Sequence, residues 1–119
     1  MTRPVRRPSR PPARSPLRLD LTVHRRGMHL VVGGDLGGAG VHRLARAVDL
    51  LARSPRSASI DLGAVRSASE AGLRPLLQLA PDAARAITVT RLSPTVADLA
   101  QCLGLDTAVP FALDAWRRD

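Results

Sequence analysis

The stretch that decides the fold is IDLGAVRSASEAGLRPLL, residues 60–77. It starts as a short apolar run typical of a buried strand, continues through small and polar residues, and ends in an amphipathic helical pattern. Glu70, the only glutamate in the chain, lies where the strand pattern gives way to the helical one. A strand that leads into a helix is half of a parallel crossover, so the stretch predicts an α/β domain.

Two strands joined by a short turn are predicted upstream of this stretch. LRLDLTV, residues 17–23, alternates apolar and polar side chains, as a strand with one wet face does. A turn at residues 24–27 leads into a more apolar strand at residues 28–32. Two such runs around a short loop with glycine predict an antiparallel hairpin.

An amphipathic helix is predicted at Val41–Arg53, and Ser54-Pro55 ends it. Asp49 precedes Arg53 by four residues, a spacing that favours a weak surface ion pair. The buried face of this helix is expected to consist of Val41, Leu44, Val48 and Leu51.

Strands and helices continue to alternate along the chain. Short strands are predicted at residues 58–62, 86–92 and 109–111, and SPTVADLAQCLGL, residues 93–105, reads as a helix. The order β-β-α-β-α-β-α-β predicts an α/β fold with a mixed, mostly parallel sheet of about four to five strands and helices packed on it.

The helix in residues 93–105 has sequence signals for both its start and its end. Ser93 is the predicted N-cap, Pro94 the first helical residue and Gly104 the residue just past the end. Cys102, the only cysteine, is expected to be an inert packing residue near the buried stripe. That stripe is expected to contain Val96, Leu99, Ala100 and Leu103.

Length and composition fit one folded domain with polar ends. The chain has 119 residues, 45% of them hydrophobic, and a net charge of +8. Residues 1–16 contain five prolines, five arginines and no acid, so we expect a disordered, solvated tail, with nucleic acid or an acidic partner as its alternative targets. The domain is expected at residues 17–113, and residues 114–119 should form a tail or a short helical turn.

No apolar run approaches the length of a membrane span, and no apolar segment follows the basic start. We therefore expect a cytoplasmic protein without membrane contact. Base stacking by the folded domain is not expected either, because no aromatic residues alternate with the basic ones.

Cofactor, metal and catalytic motifs are missing from the sequence. The glycine-rich GGDLGGAG, residues 33–40, matches neither GxGxxG nor GK[ST], so its glycines are expected only to turn the chain into the next helix. The histidines, His24, His29 and His42, have no metal-ligand spacing and are read as surface residues, so no metal site is predicted. Ser67 and Ser69 lack the context of an activated nucleophile, and no catalytic residues are assigned.

Several segments in register resemble the STAS domain, the fold of the bacterial anti-sigma factor antagonists. They are VVGGDLGG, SIDLGAVRSASEAGLRPLL, ITVTRLSPTVADLAQCLGL and a closing VPF, and the similarity as a whole covers about residues 17–113. In that family the first segment contains G-E-L-D, the second contains D-S-S-G-L at the start of a helix, and the third ends in G-L-D. The resemblance implies a module that regulates transcription by partner switching on a kinase-like anti-sigma factor, which phosphorylates the first serine of D-S-S-G.

The resemblance also implies which residues contact the partner. Ser69 stands where the family has Asp, Glu70 stands in place of the phosphoacceptor serine, and Ala71 in place of the second serine. The implied docking surface is the loop at residues 67–72, the opening of its helix and the neighbouring part of the G-E-L-D segment. It consists of Asp35, Leu36, Ser67, Ser69, Glu70, Ala71, Gly72, Leu73 and Arg74.

Glu70 cannot accept a phosphate, so the resemblance leaves two roles open for it. In one hypothesis the switch is frozen, in a state resembling the phosphorylated one. In the other, Ser69 caps the helix and Glu70 only complements the helix dipole. Phosphorylation of Ser67 or Ser69 instead is not expected.

Pro75 is a further departure from the family pattern. At the sixth position of a helix capped by Ser69, it should either kink the helix or delay its regular part to about residue 74.

The sequence thus predicts a protein without enzymatic activity or cofactor, monomeric or weakly dimeric, whose partner is an anti-sigma factor or another kinase-like ATPase. An alternative is a STAS subunit of a lipid-transport or other multiprotein complex. A small nucleotide-binding or enzymatic α/β domain is the third interpretation.

Overall fold

A computed structural model describes residues 16–104 of the chain. Nearly all of the predicted tail, the strand predicted at residues 109–111 and the turn predicted at residues 114–119 lie outside the described residues.

The fold begins with the predicted antiparallel hairpin. Strand β1 is Arg18–His24 and strand β2 is Gly27–Leu36. They are paired so that Leu21 lies opposite Leu30. Leu30 is fully buried, whereas Leu21 at the edge of the sheet is 37% exposed. The hairpin prediction is therefore confirmed, although the apolar face of β1 is only partly covered.

Strand β2 continues through the first two glycines of the glycine-rich segment, where the sequence predicts a turn. Gly33 and Gly34 pair with β3 and lie next to register shifts in that pairing. A Cβ on Gly33 would lie 3.2 Å from the Cβ of Ala64, and Gly34 has a φ of 82°. Both glycines thus allow β2 and β3 to pair closely and irregularly, and the turn prediction is wrong for them.

The glycines that follow do turn the chain. A 3-10 helix at Gly38–Gly40 leads into helix α1, Val41–Arg53, with the predicted bounds. Asp49 and Arg53 form the predicted ion pair at 3.0 Å. Leu44, Val48 and Leu51 are buried against the sheet as the periodicity predicts, and Val41 is half-buried.

Strand β3, Ser57–Ala68, is much longer than the predicted strand at residues 58–62. The segment read as a polar loop is its second half, which pairs with β2 as far as Leu36 and Ala68. These residues are held in the strand by backbone hydrogen bonding to β2, so a hydrophobic pattern could not reveal them. The predicted loop shrinks to Ser69 alone, the only residue between β3 and the next helix.

The remaining elements complete a four-stranded sheet within residues 16–104. Helix α2 is Glu70–Leu77, a short helix α3 at Pro81–Arg85 was not predicted, strand β4 is Ile87–Leu92 and helix α4 is Pro94–Cys102. The strand order is β1-β2-β3-β4, in which β2, β3 and β4 are parallel. The mixed, mostly parallel α/β prediction is confirmed. The core is aliphatic, and its largest fully buried side chains are those of Leu30, Leu36, Leu44, Leu51, Ile60, Leu62 and Ile87.

Pro75 lies inside α2 without delaying it. The helix starts at Glu70, so the expectation of a late start near residue 74 is wrong. Pro75 has no amide hydrogen, so the Ala71 carbonyl receives no bond from it. Hydrogen bonds on both sides, from Leu73 N to Ser69 O at 3.1 Å and from Gln78 N to Arg74 O at 3.0 Å, keep the rest of the helix regular.

Helix α4 has the predicted caps. The Ser93 hydroxyl accepts a hydrogen bond from Val96 N at 3.2 Å, and Gly104 just past the end has a φ of 72°. Val96 and Ala100 are buried, but Cys102 is exposed, so its reading as a packing residue is wrong. Position 102 is two residues beyond Ala100 and faces away from the buried stripe because each helical residue turns the chain by about 100°.

Candidate functional site

The candidate site lies at the carboxyl ends of β2 and β3. Because the strands are parallel, these ends meet at the same edge of the sheet, where Asp35 pairs with Ser67 and Leu36 with Ala68. The Ser67 hydroxyl donates a hydrogen bond of 2.8 Å to the Asp35 carboxylate. Two of the predicted site residues, 32 positions apart in sequence, are therefore in direct contact.

Ser69 joins the end of β3 to the start of α2. Its backbone is extended, and its hydroxyl accepts a hydrogen bond from Gly72 N at 3.2 Å, so it is the N-cap that the sequence predicts. Its own amide donates to the Leu36 carbonyl at 3.1 Å. Through these two hydrogen bonds Ser69 connects the start of the helix to the end of β2.

Glu70 is the first residue of α2 and is exposed to solvent. No hydrogen bond or ion pair within residues 16–104 holds its side chain. The capping hydrogen bond belongs to Ser69, so the Glu70 carboxylate is free to meet an approaching molecule. Its negative charge also lies at the positive end of the helix dipole, an arrangement worth about 0.3–1 kcal/mol.

Three of the predicted contact residues turn inward. The Leu36 side chain is fully buried, Leu73 is 2% exposed, and Gly72 is buried. A Cβ on Gly72 would lie 2.0 Å from the Leu36 carbonyl oxygen, so the helix rests directly on the backbone of β2. The expectation that Leu36, Gly72 and Leu73 lie at the surface is therefore corrected: the two leucine side chains are buried, and Gly72 lies against the backbone of β2, so all three hold α2 in position.

The other predicted residues are accessible. Ser67, Ser69, Glu70 and Arg74 are exposed, and Asp35 and Ala71 are half-buried. We call the surface formed by these residues the Glu70 face: Asp35, Ser67, Ser69, Glu70, Ala71 and Arg74.

An open cleft of about 630 Å³ borders the Glu70 face. Asp35, Ser67 and Ser69 form one side, and the glycine turn at residues 37–40 forms another. Arg43 of α1 also lines the cleft, and its guanidinium donates a hydrogen bond of 3.2 Å to the Leu17 carbonyl.

Arg43 was missed by the sequence interpretation. The amphipathic pattern places it on the polar face of α1, and polar faces are normally just solvated. The available signal was its position in the first turn of the helix that follows the glycine-rich segment, which brings it to the same edge of the sheet as Asp35.

The histidines do not converge with other ligands. His24 and His42 are exposed, and half-buried His29 contacts the Ser59 hydroxyl through Nδ1 at 2.6 Å. Among residues 16–104, no three His, Cys, Asp or Glu side chains are close enough to hold one metal ion. None of the helices in this range is both long and apolar enough to cross a membrane.

Comparison with known proteins supports the resemblance seen in the sequence. A family model described as "Mlab, STAS domain" matches residues 19–113, well over half of the chain. A search of curated proteins found no match.

Proposed function

The chain belongs to the STAS domain family, whose members are generally non-enzymatic interaction modules, and from this premise we propose that it acts by docking onto a partner protein through the Glu70 face. The observation that carries the proposal is the exposed, unpaired Glu70 carboxylate at the start of α2, at the position that the resemblance assigns to the family's phosphoacceptor serine.

The partner we propose is an anti-sigma factor or another kinase-like ATPase, met in the cytoplasm. Binding to it would regulate transcription by partner switching. Support comes from the position of the Glu70 face at the ends of β2 and β3 and the start of α2, the segment whose sequence resembles the family's D-S-S-G motif.

In the partner-switching scheme, a phosphate on the acceptor serine releases the module from its partner. A phosphoserine carries a charge of about −1.5 to −2 and three acceptor oxygens. Glu70 supplies one negative charge at a similar reach, and no phosphatase can remove it. We therefore propose that the switch is fixed in a weakly binding state that resembles the phosphorylated form.

The competing reading gives Glu70 a capping role alone. Ser69 already satisfies the Gly72 amide, so the Glu70 carboxylate adds only its interaction with the helix dipole. This interaction between the Glu70 charge and the helix dipole stabilises the domain without any partner protein. The two readings differ in what happens to partner binding when the charge is removed.

The deciding experiment measures binding of a kinase-like anti-sigma factor from the same genome to the wild type and to Glu70→Ser and Glu70→Gln. If Glu70 mimics phosphate, both variants should bind more tightly because the repulsion by its negative charge is lost; the expected gain is about tenfold, or about 1.4 kcal/mol. With ATP, only Glu70→Ser should then be phosphorylated and released. Equal affinities of all three proteins would leave the capping role alone.

Asp82→Asn is the matched control for loss of one negative charge. Asp82 lies in the first turn of α3 and outside the Glu70 face. Its variant changes the net charge by the same amount as Glu70→Gln, so a similar gain in affinity would point to the overall field of the protein and refute a local role for Glu70.

A second candidate keeps the docking function but changes the partner to a lipid-transport or other multiprotein complex in which the STAS domain is a constant subunit. The replacement of the acceptor serine by Glu70 favours it, because a constant subunit needs no phosphorylation. In that case Glu70 is a binding contact, and Glu70→Gln should weaken the complex instead of tightening it.

Stabilisation of the wild type by nucleotide would support neither candidate and would favour a nucleotide-binding domain.

A further inference from the structure

A second surface lies at the opposite end of the molecule from the Glu70 face. The β1–β2 turn and the end of α1 enclose a groove of about 340 Å³. Its apolar lining comes from Val23, Met28, Leu50 and Pro55. We call this the hairpin groove.

The apolar side chains at the hairpin groove are unusually exposed. Val23 is 65% exposed, Leu50 49% and the adjacent Leu21 37%. Only one other large hydrophobic side chain in residues 16–104, that of Leu103, is exposed to a comparable degree. Clustering of exposed apolar side chains in a concave surface marks an interaction site more strongly than the same residues scattered singly.

Strand β1 adds an open edge beside the groove. It is the first strand in the sheet order, and within residues 16–104 only β2 pairs with it. Alternate backbone amides and carbonyls along such an edge point outward and can accept another strand. Val23 and Leu21 project from this strand, so a segment added here would also cover the exposed apolar residues.

The rim of the groove is positively charged. Arg25 and Arg26 form the hairpin turn, and Arg53 and Arg56 line the groove. The Arg56 guanidinium donates a hydrogen bond of 2.9 Å to the Arg25 carbonyl, which brings the two parts of the rim together. Arg53 pairs with Asp49 at 3.0 Å, and both side chains remain largely exposed.

From these features we propose that the hairpin groove and the edge of β1 bind an extended, acidic segment of a partner protein. The segment adds a strand next to β1, its apolar side chains cover Leu21, Val23 and Leu50, and its carboxylates meet the arginines of the rim. Its recognition mode is strand addition, in which the backbone supplies affinity and alternate side chains supply specificity.

The charge of the rim argues against a second copy of this chain as the occupant. Two copies joined through β1 would each bring the same cationic rim to the contact. An anionic membrane would satisfy the charge. However, a flat lipid surface fills neither the concave groove nor the hydrogen-bonding edge of β1.

The hairpin groove and the Glu70 face are far enough apart to act independently. Met28 and Asp35 lie near opposite ends of β2, seven residues apart, which corresponds to roughly 23 Å of extended strand. A protein that binds one partner at each end would join them into a single assembly. This inference does not depend on which partner the Glu70 face recognises.

The test uses the full chain and a labelled peptide of seven residues, the length of β1, with valine or leucine at alternate central positions and glutamates at both ends. Fluorescence anisotropy should show saturable binding at physiological ionic strength that weakens with added salt. A peptide with lysine in place of glutamate, and one with backbone N-methyl groups along one edge, should bind about tenfold more weakly or worse.

Paired variants locate the binding. Arg26→Glu should weaken binding of the acidic peptide about tenfold, whereas Arg91→Glu, which changes the net charge equally on β4, should have little effect. Leu50→Ser should weaken it about fivefold, and Leu103→Ser, at a similarly exposed position outside the groove, should not. All four positions are exposed, and the one ion pair that they make within residues 16–104, Arg91 with Asp61, is long at 3.9 Å, so the variants should remain folded.

Several results would overturn the proposal. They are absence of peptide binding to the wild type, equal loss with Arg26→Glu and Arg91→Glu, and undiminished binding of the N-methylated peptide. Binding to phosphatidylglycerol vesicles without binding to the peptide would assign the groove to a membrane. Dimerisation that disappears in Leu50→Ser, again without peptide binding, would assign it to a second copy.

Discussion

Gly72→Ala tests how closely α2 rests on the end of β2. A Cβ at this position would lie 2.0 Å from the Leu36 carbonyl oxygen and 2.5 Å from its carbon, whereas side-chain carbons need at least 3.0 Å. The start of the helix must therefore move by about 1 Å, the difference between 3.0 and 2.0 Å. The obstacle is backbone, so no side-chain rotation can relieve it.

The expected cost follows from three contributions. Overpacking of this kind costs about 1–3 kcal/mol. Weakening of the hydrogen bond from Ser69 N to Leu36 O, now 3.1 Å, adds about 0.5–1.5 kcal/mol. Against these losses, alanine stabilises a helix by about 1 kcal/mol relative to glycine. The free energy of unfolding should therefore fall by about 2 kcal/mol, which for a small domain lowers Tm by about 8–16 °C.

Chemical and thermal denaturation of Gly72→Ala and of the control Gly37→Ala would measure this effect. Gly37 has an extended backbone with φ −118° and ψ −172°, and a Cβ there meets nothing within 4 Å. Its alanine variant should be as stable as the wild type or gain about 0.4–1 kcal/mol. If Gly72→Ala is as stable as Gly37→Ala, the close contact of α2 with β2 is wrong, and with it the rigid presentation of Glu70.

Three further predictions concern stability. Ser69→Ala should destabilise the protein by about 1 kcal/mol because the N-cap is lost, whereas Ser69→Asp should keep most of the wild-type stability. Urea denaturation measures both variants, and equal stability of the two would contradict the cap. Glu70→Gln should cost about 0.3–1 kcal/mol at low salt and less at high salt, because the dipole interaction is screened; a loss independent of salt would point to another cause. Leu44→Ala, at a fully buried position, should cost about 2–5 kcal/mol, and Leu50→Ala, about half exposed, should cost far less; comparable losses in Tm would contradict the orientation of α1.

The sequence predicted elements well where side-chain pattern and local chemistry agree. Helix α1 was located to the residue because its apolar stripe has a helical period and Ser54-Pro55 ends it. Ser69 and Ser93 were recognised as N-caps because a serine directly precedes each helical pattern. The hairpin was recognised from two strand patterns around a short turn with Gly27.

The errors in the extent of β2 and β3 arose because their structure is fixed by backbone pairing between distant segments. The second half of β3 has small and polar side chains, and it stays extended because it pairs with β2 around Gly33 and Gly34. Neither segment alone carries that information. The same limit explains the predicted exposure of Leu36 and Leu73: the resemblance identified the right surface, but which side chains point outward depends on how α2 lies on β2.

The one-residue junction at Ser69 restricts how this surface can change during evolution. An inserted residue after Ala68 would turn α2 by about 100° and advance it by about 1.5 Å. Leu73 and Leu76, now buried, would leave the core, and the whole domain would lose stability. Substitutions at Ser67, Glu70 or Arg74, by contrast, leave the path of the chain intact. New binding preferences can therefore arise here by exchange of side chains at constant loop length, and relatives with other partners should differ in residue type at these positions but not in spacing.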